Sequence, residues 1–238
     1  DMTRIDDTVA EGGMGRNPVL AKLLRDTASA GGSIHFAGLL SDGGVHSHIT
    51  HLTALIKAAK EYDVPVLVHA FLDGRDTSPK SASGFVRRLE EHMATMNWGR
   101  IASVCGRYYA MDRDKRWERL KVAWDAMVNG AAAIEPNAEK AIEDAYRNGT
   151  TDEFILPCIV PLPDGSLPVI RDKDSLFFFN FRADRARLLV RPFIMPDFAE
   201  FDRGHCPKLT GIATMTQYDA AFDVPVAFPK ENLVDTMG

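Results

Sequence analysis

Residues 34–72 read IHFAGLLSDGGVHSHITHLTALIKAAKEYDVPVLVHAFL, and this stretch decides the fold. Residues 34–40 are apolar almost throughout, as a strand covered on both faces requires. Leu52, Leu55, Ile56 and Ala59 then recur at helical spacing, which predicts a helix over 48–61. Residues 65–72 form a second apolar run of strand length. A strand, a helix and another strand joined this tightly make a parallel crossover unit.

The unit repeats in both directions. Upstream, Asn17 and Pro18 read as the N-cap and first position of a helix carrying Val19, Leu20, Leu23 and Leu24, which Gly31-Gly32 ends. Downstream, Ser78-Pro79 reads as the start of a helix with Phe85, Val86, Leu89 and Met93. Residues 100–105 (RIASVC) predict a third strand, and Trp117, Leu120, Trp124 and Met127 a further helix. A helix over 137–147 follows, then a Pro- and Gly-rich stretch over 157–170 that reads as a hairpin or an excursion. Residues 176–181 (LFFFNF) give another strand and 184–192 the last helix. From Pro207 the character changes: LTGIATMTQYD reads as one strand, and VPVAFP has no helix partner. The expectation is a three-layer α/β/α domain with a mainly parallel sheet over 17–206. Residues 1–16 and 207–238 read as linkers toward a second domain. The opening DMTRIDD, without an initiator Met, and the abrupt LVDTMG read as cuts from a longer chain.

Composition narrows the class. The 238 residues are 45% hydrophobic and 26% charged, an ordinary globular balance. A net charge of −5 argues against nucleic acid as a partner. No apolar run approaches the about 20 residues that cross a bilayer, and no signal-peptide pattern is present, so no membrane partner is expected. Cys105, Cys158 and Cys206 are widely spaced without a C-x-x-C pair, which predicts reduced thiols and a cytoplasmic setting.

Four loops, each following an apolar run, carry the chemistry: SDGGVHSH (41–48), LDGRD (72–76), GRYYAMDR (106–113) and FNFRADR (179–185). They contribute His46, Arg75, Asp76, Arg107, Arg113, Arg182 and Arg185. In an open parallel sheet such loops converge on one crevice beyond the carboxyl ends of the strands. Five guanidinium forks there suit a small anion bearing phosphate or carboxylate. The start of the helix after His46 would add backbone N–H donors. Asp76, beside Arg75, is placed to orient a substrate hydroxyl or take its proton, which makes Asp76 and His46 the catalytic candidates. Asp73 reads as the turn-former of its loop. Each loop also has a plainer interpretation as a turn with solvated charges, so the argument rests on the agreement of all four. His46, His48 and His51 raise a metal site as an alternative, although no carboxylate or cysteine lies with them at ligand spacing.

These four motifs, in this order and spacing, resemble the substrate-binding domain of cofactor-independent phosphoglycerate mutases. The stretch YDAAFDVPVAFP resembles that family's return linker. The resemblance implies a two-domain isomerase of glycolysis that interconverts 3-phosphoglycerate and 2-phosphoglycerate without a 2,3-bisphosphoglycerate requirement. It also implies a phosphatase-like domain with two manganese (or magnesium) ions and a serine that carries the phosphoryl group. The same seven residues match the family's substrate contacts, while the division of the arginines between carboxylate and phosphate stays open. The family's serine motif, D-N-S-E-x-G-H, and its clustered metal ligands are missing from this chain. The expectations are therefore no metal or other cofactor within it, no turnover by it alone, and a monomer. A non-catalytic module that binds a phosphorylated metabolite is the alternative.

Overall fold

The computed structural model describes residues 2–230. The end of the connector expected over 207–238, from residue 231 on, lies outside the described residues, as does Asp1.

Helix α1 (Met2–Ala10) opens the chain, and its Ile5 is fully buried. Helix α2 (Pro18–Ala30) begins as its sequence dictates: the Asn17 side chain accepts from the N–H groups of Val19 and Leu20, and Pro18 follows. It ends at Gly31, whose φ of 71° is the left-handed conformation of a helix C-terminus. The sheet units come next: β1 (Ile34–Leu40), α3 (Ile49–Glu61), β2 (Val66–Leu72), α4 (Ala82–Met96) and β3 (Arg100–Gly106). After β3 come a short helix α5 (Arg107–Ala110) and α6 (Trp117–Trp124), which runs into one π-helical turn, Asp125–Asn129. The rest is β4 (Ala133–Ile134), α7 (Ala138–Arg147), β5 (Cys158–Ile159), β6 (Ser175–Phe178), α8 (Arg187–Ile194) and β7 (Gly211–Thr214).

The seven strands lie in the order β4-β5-β3-β2-β1-β6-β7. All neighbouring pairs are parallel except β3 with β5, so the fold is α/β with a mainly parallel sheet. One face is covered by Leu20, Leu24, Leu52, Ile56, Val86, Leu89 and Ile142, and the other by Leu120, Trp124, Leu188 and Val190. Both faces are therefore packed by residues of this chain, which makes three layers.

Three details differ from the expected pattern. Helix α4 begins at Ala82 rather than Pro79, because Asp152 accepts from the N–H groups of Ser81 and Ala82 at 2.9 Å each. The stretch over 157–170 supplies β5, which pairs antiparallel with β3 and parallel with β4, where Pro-rich sequence gave no periodic signal. The GRYYAMDR loop contains helix α5, which is too short to show a period.

A polar seam crosses the core behind the central strands. Asp174 faces His35 Nε2 at 2.9 Å, His35 Nδ1 faces His69 Nε2 at 2.9 Å, and His69 Nδ1 meets Ser103 Oγ at 2.7 Å. The two imidazoles stack, with centroids 5.1 Å apart and planes within 10°.

Candidate anion-binding site

β3, β2, β1 and β6 are adjacent and parallel, so the segments that leave their carboxyl ends emerge at one edge. Those segments carry the four motifs, and the structure gathers the side chains of all seven predicted residues at this edge.

Arg107 is its floor. The side chain is buried at the start of α5 and donates through Nη1 to Asp73 Oδ1 (2.8 Å) and Asp76 Oδ2 (2.7 Å). Its Nη2 lies 3.1 Å from His46 Nε2. A guanidinium has no acceptor, so Nε2 of His46 accepts, and the neutral ring carries its proton on Nδ1. Burial and the adjacent Arg107 hold the His46 pKa down to about 4, against the smaller pull of Asp76 and Asp184. His46 is therefore neutral near pH 7, and it stands 3.8 Å from Asp76.

Asp73 does more than form a turn. It accepts from the N–H groups of Arg75 (3.1 Å) and Asp76 (3.0 Å), as expected, but also from Ser41 Oγ (2.6 Å) and Arg107. Burial alone would raise its pKa; these hydrogen bonds outweigh it and keep the carboxyl below the usual range.

The remaining arginines form the rim, and they are more exposed. Arg75 Nη1 lies 3.3 Å from Glu153. Arg113 Nη1 and Arg182 Nε lie 3.3 Å and 3.0 Å from Asp184. Arg185 has no ion pair among the described residues; its pKa is lowered by burial and then by the nearby charges of Arg113, Arg107 and Arg75. Four guanidiniums crowded together can attract an anion, because they cannot relieve their repulsion by losing protons.

The sequence argument missed Asp184, Glu153 and the deeper role of Asp73. Asp184 stands inside the FNFRADR motif between two arginines, which was an available signal; Glu153 is distant in sequence and left none. The helix-terminus donors expected after His46 are already used. Ile49 N–H goes to Ser41 O (2.9 Å) and Thr50 N–H to the capping His48 Nδ1 (3.3 Å).

The three histidines do not form a metal site. His46 Nε2 faces Arg107, His48 Nδ1 faces Thr50 Oγ1 (2.8 Å), and His51 Nε2 faces Asp6 (2.6 Å). Among the described residues no group of three or more His, Cys, Asp or Glu side chains is placed to hold a metal ion.

Comparison with known proteins bears on this geometry. Residues 5–220 match the family model described as the BPG-independent PGAM N-terminus. A 2,3-bisphosphoglycerate-independent phosphoglycerate mutase of Lawsonia intracellularis is 50% identical over 237 residues, which is 100% of this chain and 46% of that protein. The protein of that name from Nitratidesulfovibrio vulgaris is 51% identical over 238 residues, covering 100% and 47%. The crystal structure of Leishmania mexicana phosphoglycerate mutase at low cobalt concentration superposes with a TM-score of 0.91 at 31% identity, over 98% of this chain and 45% of that one. The chain thus spans about half the length of the curated relatives it matches.

Proposed function

This chain belongs to the BPG-independent phosphoglycerate mutase N-terminal family, and on that premise we propose that its crevice is the substrate-binding half of such an isomerase. In this reading residues 17–206 are the body of the substrate-binding domain, and 1–16 and 207–238, which pack Ile5 and strand β7 onto that body, link it to a phosphatase-like domain. The complete protein interconverts 3-phosphoglycerate and 2-phosphoglycerate in glycolysis, in the cytoplasm and as a monomer. It does so through a phosphoserine on the other domain, with no 2,3-bisphosphoglycerate requirement. The two manganese or magnesium ions are assigned to that domain in this reading; among the described residues no group is placed to hold a metal ion, and no step below depends on them.

The observation that carries the proposal is the convergence of Arg75, Arg107, Arg113, Arg182 and Arg185 around a neutral His46 and the carboxylate of Asp76. The rim arginines hold the two anionic ends of a phosphoglycerate. Asp76 faces the bound molecule with a carboxylate oxygen suited to accept from a glycerate hydroxyl and take its proton. His46 stands as a neutral ring whose Nε2 accepts from Arg107, so it orients that guanidinium without adding another full charge. Holding glycerate so that either hydroxyl can meet the phosphoryl group is worth roughly 7–11 kcal/mol of barrier in well-oriented systems.

The experiment is a calorimetric titration of the 238-residue chain with 3-phosphoglycerate, using wild type, Arg113→Ala and Arg185→Ala. A charge-assisted hydrogen bond contributes roughly 1.5–3 kcal/mol, so each variant should bind about ten- to a hundred-fold more weakly. Unchanged affinity in both variants would remove the crevice from the proposal.

A further inference from the structure

Asp184 is a carboxylate in the middle of an anion site, and its surroundings assign it a role. Its Oδ2 pairs with Arg113 Nη1 at 3.3 Å, and its Oδ1 lies 3.0 Å from Arg182 Nε. Both arginine side chains are about half exposed. On the inner side, Asp184 Oδ1 stands 3.8 Å from His46 Nδ1. Both atoms are buried, and neither has a hydrogen-bond partner among the described residues. Because His46 Nε2 accepts from Arg107, its neutral ring presents Nδ1–H, so an unused donor faces an acceptor that is engaged only by the charge of Arg182, without a hydrogen bond. The gap exceeds a hydrogen bond by about 1 Å, which a small side-chain rotation closes.

What keeps the gap open is the pull of the two rim arginines. Such exposed pairs are weak and readily exchanged. A buried imidazole N–H without a partner is unfavourable by comparison. We propose that Asp184 is a positioning residue: it holds Arg113 and Arg182 as a stand-in anion, yields them to the ligand's anionic group, and turns onto His46 Nδ1–H. The exchange needs an incoming group that outcompetes a single carboxylate, and a doubly charged phosphate does so where a monoanion does not. The site thereby acquires a preference for the phosphorylated molecule over the bare hydroxy acid. Once turned, Asp184 also fixes the plane of His46 against the bound glycerate.

This inference rests on the anion-site reading above, and the test separates the two. The purified chain is titrated with 3-phosphoglycerate and, separately, with glycerate. Wild type is compared with Asp184→Asn, and the imidazole of His46 is followed by nitrogen-15 NMR. Asp184→Asn loses the competing charge and should bind 3-phosphoglycerate more tightly, by roughly three- to ten-fold, the range of one or two exposed ion pairs. Its preference for 3-phosphoglycerate over glycerate should shrink. In wild type, saturating 3-phosphoglycerate should shift the His46 Nδ1–H resonance and slow its exchange, a readout that needs no variant to fold. Weaker binding by Asp184→Asn with a wild type that binds would make Asp184 a direct ligand contact and overturn this inference alone. So would an unshifted His46 Nδ1–H in the saturated wild type. A wild type that does not bind 3-phosphoglycerate overturns the anion-site reading, and the inference with it.

Discussion

Arg107 and Asp73 form a buried ion pair, 2.8 Å apart, with side chains only 3% and 1% exposed. Arg107 comes from the end of β3 and Asp73 from the end of β2, so the pair bolts two motif segments together beneath the crevice. Breaking a buried pair by removing one partner typically costs about 3–5 kcal/mol. Asp76 remains beside Arg107, so Asp73→Ala should fall at the lower end of that range, measured by urea denaturation. The same variant should lose affinity for 3-phosphoglycerate, because the backbone turn that presents Arg75 and Asp76 depends on the Asp73 carboxylate. A loss below about 1 kcal/mol would mean that Asp73 is only a turn residue.

Acid should destabilise the domain, in part through His46. Its folded pKa is about 4, below the ordinary 6.5, so the folded state binds fewer protons than the unfolded one in between. Its contribution is complete above pH 6.5 and is lost as the pH falls from about 6.5 to about 4, up to about 3 kcal/mol in all. The buried His69 and His51, both lowered chiefly by burial, act with the same sign. Urea midpoints between pH 7.5 and 5 should fall less steeply for His46→Gln than for wild type. Parallel slopes would contradict the assignment of His46 as a neutral ring.

Asp76→Asn, placed in a full-length protein carrying this domain, should reduce kcat far more than it raises KM. Its carboxylate lies 2.7 Å from Arg107 and 3.8 Å from His46, and the role proposed for it is that of a proton acceptor rather than an anion-binding group. Unchanged turnover would reduce Asp76 to an ion-pair partner of Arg107.

The 238-residue chain alone should not interconvert 3-phosphoglycerate and 2-phosphoglycerate. An assay coupled to enolase, run with and without manganese, tests this directly. Manganese-dependent turnover would place the phosphoryl-transferring group within these residues, against the division of labour proposed here.

Gly106 should tolerate no side chain. Its φ of −58° is ordinary, but an added Cβ would stand 2.3 Å from the Glu153 carbonyl oxygen and 2.8 Å from Ile155 N. Gly106→Ala must push that backbone away, at a cost of about 1–3 kcal/mol. It would also displace Glu153 from Arg75. Thermal melting and 3-phosphoglycerate affinity should both fall; an unaltered melt would show that the Glu153 segment yields freely.

The sheet was legible because its strands are buried on both faces: IHFAGLL and PVLVHAFL leave little alternative to a covered parallel strand. The helix start at Asn17-Pro18 was legible because the cap is local. The start of α4 was not, since its cap is Asp152, 70 residues away from Ala82. The gathering of the seven residues could be read from motifs because strand ends define a single edge. The carboxylates that hold them were harder: Glu153 meets Arg75 from 78 residues away, and Asp184 was passed over among more conspicuous arginines.

The polar seam of Asp174, His35, His69 and Ser103 works like a written address for strand alignment. A carboxylate only accepts, so His35 must donate to Asp174 from Nε2, and each further contact along the seam pairs one donor with one acceptor, through His69 to the Ser103 hydroxyl. Apolar cores accept many rearrangements, because one methyl group can replace another. This seam accepts only one: β2 slipped by a single residue would present Val68 or Ala70 where His69 stands, and strand both the imidazole beyond it and the hydroxyl opposite. The alignment that sets four loops at one edge is thus spelled in the interior, in a vocabulary of donors and acceptors that tolerates no misspelling.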